Sequence, residues 1–167
     1  RGWIDCLKKE KEICEIDAEV DWDVEIGNII RMAQGTGYGP AFLFNNIKDY
    51  NKSDSISRQI FSGGQGSYSR IAMMFGLPRE TPVRELVQTC RTIFNERIKP
   101  KTVKTGPVKE NILKGDEIDL LKFPVPKWNR GDGGRYILSY AGCVTKDPDT
   151  DIHNIGIYRG MVLNKDK

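Results

Sequence analysis

Histidine occurs once in this chain, at His153, so nothing points to a zinc site built from its own residues. Cysteine is sparse and scattered: Cys6, Cys14, Cys90 and Cys143 form no C-x-x-C pair, and are expected to be buried, reduced thiols of a cytoplasmic protein. No stretch approaches the roughly 20 apolar residues of a bilayer-spanning helix, and the mean hydropathy is −0.49, so no membrane insertion is expected. Neither charge predominates. Twenty-six basic residues stand against twenty-three acidic ones, a balance that argues against a nucleic-acid partner. The densest basic stretch, Arg97, Lys99, Lys101 and Lys104 around Pro100, holds no aromatic residue to stack on bases and reads as a solvated linker. Repeats and low-complexity tracts are missing. The opening residues Arg1-Gly2-Trp3-Ile4-Asp5 have no initiator Met and no signal-peptide order, and read as the middle of a helix with more chain before it.

The 167 residues suit one domain, or one unit plus part of another. Trp3, Ile4, Leu7 and Ile13 space out a first amphipathic helix. Cys14 to Val20 alternates at period two, as a strand does. Asp21 or Asp23 is placed to cap a second helix carrying Val24, Ile26, Ile29, Ile30 and Ala33, stopped by Gly35, Gly37, Gly39 and Pro40. Ala41-Phe42-Leu43-Phe44 predicts a short apolar strand, and a polar loop follows to about Ser57. Gly63, Gly64 and Gly66 lack the strand-then-GxGxxG order and the lysine of a phosphate cradle, so they predict an ordinary turn. Ser69 to Gly76 predicts a helix ended by glycine, and Thr81-Pro82 opens another through Phe94 with Pro82 at its first position.

The pattern changes after Pro107. Asn111-Ile112-Leu113 and Ile118 to Leu121 predict short strands, and Pro124 and Pro126 punctuate an extended crossing. Two long alternating strands follow, Tyr136 to Thr145 and about Asn154 to Leu163, joined by a turn with Pro148-Asp149 at its centre. The fold class is therefore α+β: an N-terminal α/β domain over 1–106, then the start of an antiparallel β-domain over 107–167. A two-stranded hairpin is marginal alone, so further strands are expected to complete its sheet.

Counting outward from Asp149 brings Ser139 roughly opposite Arg159. A hydroxyl near a guanidinium, over Ile137, Ile155 and Ile157, suits an anionic and partly apolar ligand; the plain alternative is a surface arginine on an edge strand. Asn154 and Arg159 are an odd number of residues apart, so a regular strand places them on opposite faces. A bulge at Gly156, or Asn154 lying in the preceding loop, would bring them together.

Pro124-Val125-Pro126-Lys127-Trp128, Gly131-Asp132-Gly133-Gly134-Arg135-Tyr136-Ile137, Thr145 to Thr150 and Asn154-Ile155-Gly156-Ile157-Tyr158-Arg159 resemble, in this order, the UbiD family of reversible (de)carboxylases. That family includes 3-polyprenyl-4-hydroxybenzoate carboxy-lyase and ferulate/cinnamate decarboxylase. Gly39 to Asn46 and Ser69 to Leu77 fit its N-terminal pattern, so the resemblance runs over essentially the whole chain.

The resemblance implies a split β-barrel like that of flavin reductases, holding prenylated FMN with Mn²⁺ (or another divalent metal) on its phosphate and K⁺ nearby. It implies Asn154 as metal ligand, Ser139, Asn154, Ile157, Tyr158 and Arg159 as cofactor contacts, and Arg159 as the catalytic arginine of a Glu-Arg-Glu network. It also implies decarboxylation of an aromatic or α,β-unsaturated small-molecule carboxylic acid, a flavin prenyltransferase as cofactor supplier, and a homo-oligomer in the full-length protein. Two departures stand out. Asn129 occupies the place where many relatives have His, and the family's His and Glu metal ligands and both network Glu residues fall beyond Lys167. The chain is accordingly read as the N-terminal part of such an enzyme, inactive by itself. A non-catalytic flavin-binding or accessory module of the same fold is the alternative.

Overall fold

Ala41-Phe42-Leu43-Phe44 is apolar at every position, as a strand covered on both faces must be. The computed structural model, which describes residues 1–35, 39–52, 55–96, 98 and 101–167, places it as the central strand β2 (Ala41–Phe44), with all four residues buried. β1 (Ile13–Ile16) pairs with it in parallel and β3 (Ile60–Ser62) antiparallel. Between β1 and β2 runs α2 (Glu25–Gln34), the crossover that a parallel pair requires. Phe42 and Phe44 stack with ring centroids 5.7 Å apart and join Ile26 and Ile30 of α2 in one core with Val20, Ile47 and Tyr50. Each such buried side chain contributes roughly 2 to 3 kcal/mol through its removal from water.

Three further α-helices are described: α1 (Gly2–Lys9), α3 (Tyr68–Met74) and α4 (Val83–Asn95). Ser67 caps α3 by accepting the Arg70 N–H, and Gly76 follows it at φ +72°, a backbone that glycine adopts freely. Arg70 is 1% exposed and is the core's buried charge. It donates to Glu12 Oε2 at 2.9 Å and to the Gly39 carbonyl at 2.9 Å, while Arg79 reaches Glu12 Oε1 at 2.6 Å. One carboxylate thus ties α3 and the loop after it to the start of β1.

Several expected elements are corrected. Ile13 belongs to β1 and not to α1, and β1 ends at Ile16, with Val20 making only an isolated bridge to Ile47. Neither aspartate caps α2. The Asp21 carboxylate accepts the Asp23 N–H and the Lys48 ammonium, and Val24 at φ 72° is the residue before the helix. Pro82 stands one place before α4. The expected strands at Asn111–Leu113 and Ile118–Leu121 are not found among the described residues: Ile112 and Leu113 lie between 3₁₀ turns at Pro107–Lys109 and Gly115–Glu117, and a third turn takes Leu120–Lys122. The cysteines are free as expected, but none is buried; Cys14 is exposed on the edge strand β1. Of the basic stretch, Arg97, Lys99 and Pro100 lie outside the described residues, as does Gly37.

The second sheet is the predicted hairpin, β4 (Arg135–Lys146) and β5 (His153–Val162). Its turn is held by Asp147 Oδ1, which accepts the N–H groups of Asp149 and Thr150 at 2.8 Å each. Those donors favour the carboxylate and hold the Asp147 carboxyl below its ordinary value, Thr150 contributing most.

The hairpin is anchored to the first sheet by the segment before it. Lys127 exchanges backbone hydrogen bonds with Trp22 and Val24, and Gly27 of α2 lies so close to Trp128 that a Cβ there would stand 1.9 Å from its carbonyl oxygen. Arg135, the first residue of β4, completes the anchor. Its Nε donates to the Val125 carbonyl at 2.7 Å, another nitrogen donates to the Tyr50 hydroxyl, and its guanidinium lies 4.2 Å above the Trp22 ring.

Candidate functional site

A regular antiparallel ladder would match β4 and β5 residue for residue, yet β4 has 12 residues against 10 in β5. Two bulges on β4 absorb the difference. Leu138 pairs with Gly160 and Ala141 with Tyr158, so Ser139 and Tyr140 together oppose the single residue Arg159. The other bulge lies at Ile137, between the pairs Tyr136–Met161 and Leu138–Gly160. Ser139 is therefore opposite Arg159, as the count from Asp149 expects. The irregularity is not at Gly156, which pairs in register with Cys143.

The bulge turns the Ser139 hydroxyl back onto the protein. Its Oγ accepts the Trp128 indole N–H at 2.7 Å and donates to the Tyr136 carbonyl at 2.9 Å. Trp128 reaches this position because Gly27 admits its backbone. Around the pair open two clefts between the first sheet and the hairpin. One, of about 850 Å³, is lined by Trp3, Gln34, Phe61 and Gln65 besides Trp128 and Tyr140. The other, of about 420 Å³, shares Gln34, Trp128 and Ser139 and adds Ile30, Tyr136 and Arg159. Aromatic walls with a few amide and hydroxyl groups suit a planar ligand with polar edges.

Arg159 occupies the rim of the smaller cleft. Its guanidinium lies 4.3 Å above the Tyr136 ring, and its Nη2 stands 3.5 Å from Asp132 Oδ1. The arginine side chain is 61% exposed and the aspartate 14%, so the cation faces outward from a sheltered anion. Asp132 is fixed in turn by Asn129, whose backbone N–H donates to Oδ2 at 3.0 Å.

Since β5 itself is regular, its side chains alternate strictly. Ile155, Ile157 and Arg159 share one face and form an exposed apolar lane ending in a guanidinium. Asn154 and Tyr158 occupy the other, where the Tyr158 ring lies over Gly156, within 2.4 Å of where a Cβ would be. The structure thus brings Ser139 and Arg159 together, sets Ile157 beside Arg159, and leaves Asn154 opposite Thr145 at the far end of the hairpin. Among the described residues no three His, Cys, Asp or Glu side chains cluster as a metal site. Asn154 offers one hard oxygen donor, which fits Mn²⁺ or Mg²⁺ as part of a larger set.

Three residues of this site, Trp128, Asp132 and Tyr136, have no functional role that the sequence alone assigns. Their partners lie across the bulge, and the spacing of residues gives no sign of that.

Comparison with known proteins places the whole chain. Residues 4–90 match the 3-octaprenyl-4-hydroxybenzoate carboxy-lyase N-terminal domain, and residues 101–167 match the Rift-related domain of the same carboxy-lyase. Pyrrole-2-carboxylic acid decarboxylase of Pseudomonas aeruginosa is 32% identical, over 99% of this chain and 34% of the relative. Ferulic acid decarboxylase 1 of Candida dubliniensis is 35% identical, over 97% of this chain and 34% of the relative. Among solved structures, the open form of Sedimentibacter hydroxybenzoicus vanillic acid decarboxylase aligns with a TM-score of 0.86 at 28% identity, over 98% of this chain and 35% of that one. An evolved dimeric form of the UbiD-class enzyme HmfF from Pelotomaculum thermopropionicum, in complex with prFMN, gives 0.82 at 27% identity, over 99% of this chain and 36% of that one. The chain spans about a third of the length of the curated relatives it matches.

Proposed function

The chain belongs to the UbiD family of carboxy-lyases, and from that premise we propose that it forms one wall of the active site of a prenylated-FMN-dependent enzyme. The reaction is the reversible, non-oxidative decarboxylation of an aromatic or α,β-unsaturated carboxylic acid. The observation that carries this reading is the lane of Ile155 and Ile157 ending at the outward-facing guanidinium of Arg159. Decarboxylases of pyrrole-2-carboxylic, ferulic and vanillic acid stand among its relatives.

Each residue has a distinct task in this reading. Arg159 receives the substrate carboxylate on the donors that Asp132 leaves free, a geometry suited to a planar fork. Ile157 gives the cofactor apolar contact on the Arg159 face of β5, while Tyr158 backs the strand from the other face, over Gly156. The hydrogen of Ser139 is already committed to the Tyr136 carbonyl, so Ser139 lines the flavin as an acceptor through its remaining lone pair. Asn154 contributes an amide oxygen to a divalent metal, Mn²⁺ in the family's manner, with K⁺ close by. Prenylated FMN, when bound, supplies the electron sink for breaking the bond to the carboxylate. The His and Glu ligands, and the carboxylates that partner Arg159 in proton transfer, come from residues beyond these 167, which alone turn nothing over.

In the same reading, residues 1–106 form the N-terminal α/β domain and 107–167 begin a split β-barrel whose later strands cover the exposed hairpin. The assembled protein is a cytoplasmic homo-oligomer supplied by a flavin prenyltransferase. No described helix is long and apolar enough to cross a membrane. The test is the absorbance spectrum and carbon dioxide release of the full-length protein, expressed with and without a flavin prenyltransferase. Turnover that depends on the prenyltransferase is expected. Binding of ordinary FMN without turnover under both conditions would support a non-catalytic flavin module instead.

A further inference from the structure

Arg159 alone would be a poor instrument for holding a carboxylate. A long side chain on an exposed strand samples many rotamers, and ordering it costs on the order of 2 kcal/mol. In this chain two groups hold it, and a third residue holds one of those two. The Tyr136 ring supports one face of the guanidinium at 4.3 Å, and Asp132 Oδ1 faces one edge at 3.5 Å. Asp132 is itself held on both sides: its Oδ2 accepts the Asn129 backbone N–H, and its own N–H donates to the Asn129 carbonyl, each at 3.0 Å. The glycines after it let the turn close on β5, since a Cβ at Gly134 would stand 3.1 Å from the Met161 sulfur.

We propose that Asp132 is the positioning residue of the site: anchored by the Asn129 turn, it fixes Arg159 over Tyr136 so that the opposite edge of the guanidinium is presented ready to a substrate carboxylate. The inference rests on the decarboxylase reading above and adds to it a specific carboxylate that touches neither substrate nor cofactor. Its chemistry predicts a split that a merely structural role does not produce. Asp132 is an anion beside the cation that must capture an anion, so it weakens ground-state binding while it improves alignment for reaction.

The experiment uses the full-length protein carrying this segment. In the Asp132→Asn variant of the loaded enzyme, kcat is expected to fall about tenfold through lost alignment. In the cofactor-free protein the same variant is expected to bind benzoate about threefold more tightly, as a competing charge of modest strength has been removed. Asp132→Glu, which keeps the charge, restores benzoate affinity to near the parent value. Asn129→Ala, which removes the Asn129 Nδ2 contact to Asp132 Oδ2 at 3.4 Å and leaves the backbone bonds and both charges, lowers kcat by less than Asp132→Asn without tightening benzoate binding, and serves if Asp132→Asn does not fold. Unchanged kcat and benzoate affinity in Asp132→Asn would overturn the proposal, and so would parallel losses of kcat, benzoate binding and melting temperature. Arg159→Ala is measured alongside. Wild-type turnover there sinks the decarboxylase reading itself, whereas an inactive Arg159→Ala beside a fully active Asp132→Asn sinks only the role of Asp132.

Discussion

The indole N–H of Trp128 meets the hydroxyl of Ser139 at 2.7 Å, across the bulge that sets Ser139 opposite Arg159. This bond joins the crossing segment before the hairpin to the strand that lines the cleft. Replacing Ser139 by Ala removes both of its hydrogen bonds, and since Ser139 is exposed water can take the freed Trp128 donor, so the expected cost is about 0.5 to 1 kcal/mol. Urea unfolding of the two proteins compares them directly. Trp128→Phe with Ser139→Ala should cost less than the sum of the single changes, because each alone removes the same bond.

Gly27 allows that arrangement by having no side chain. A Cβ there would stand 1.9 Å from the Trp128 carbonyl oxygen, a backbone atom that can yield only if the crossing segment moves. Gly27→Ala is expected to destabilise by about 3 kcal/mol as an overpacking change. A helix propensity that favours alanine by about 1 kcal/mol does not offset it. A thermal melt of the variant checks the sign.

Glu12 supports two guanidiniums of different burial, and the difference is measurable. Glu12→Ala leaves Arg70 as an uncompensated charge that is 1% exposed, a loss expected to be about 3 to 5 kcal/mol. Arg79 is 41% exposed, so Arg79→Ala should cost less than about 1 kcal/mol. Similar values for the two variants in denaturant titrations would contradict this account of the ion pair.

Asp147 makes the hairpin turn sensitive to acid. Its folded pKa is depressed by the Thr150 and Asp149 N–H groups, so its contribution is complete above the unfolded value and is lost as pH falls through the folded one. The unfolded value is about 3.9. Peptides covering the turn should therefore gain amide exchange, relative to the intrinsic rate, only below about pH 4. In Asp147→Asn that acid dependence disappears, because the amide oxygen accepts the same N–H groups without a charge to lose.

Much of the fold was legible because its signals are local. Four consecutive apolar residues marked the buried β2, glycine after Phe75 marked the end of α3, and alternation around Pro148-Asp149 marked the hairpin and its turn. What was not legible depends on distant partners. β3 is three residues long and exists only as an edge to β2, and Ile112 and Leu113 are apolar without any strand to pair with. Asp21 has the composition of a helix cap but is engaged by Lys48, 27 residues away. Of the candidate site, the count outward from Asp149 brought Ser139 opposite Arg159, as β4 and β5 pair. The expected bend at Gly156 was on the wrong strand, since the extra residues sit in β4 and pairing register cannot be read from one strand alone. The approach of Asp132 to Arg159, and of Trp128 to Ser139, follows from those bulges.

The most direct test is carbon dioxide release by full-length protein loaded with prenylated FMN, comparing the parent with Arg159→Ala over a panel of aromatic and α,β-unsaturated acids. The account predicts release by the parent from at least one acid. It predicts loss of about a hundredfold to a thousandfold in the variant, on the order of removing a principal electrostatic group, with melting temperature retained. Turnover by Arg159→Ala at the parent's rate would contradict it.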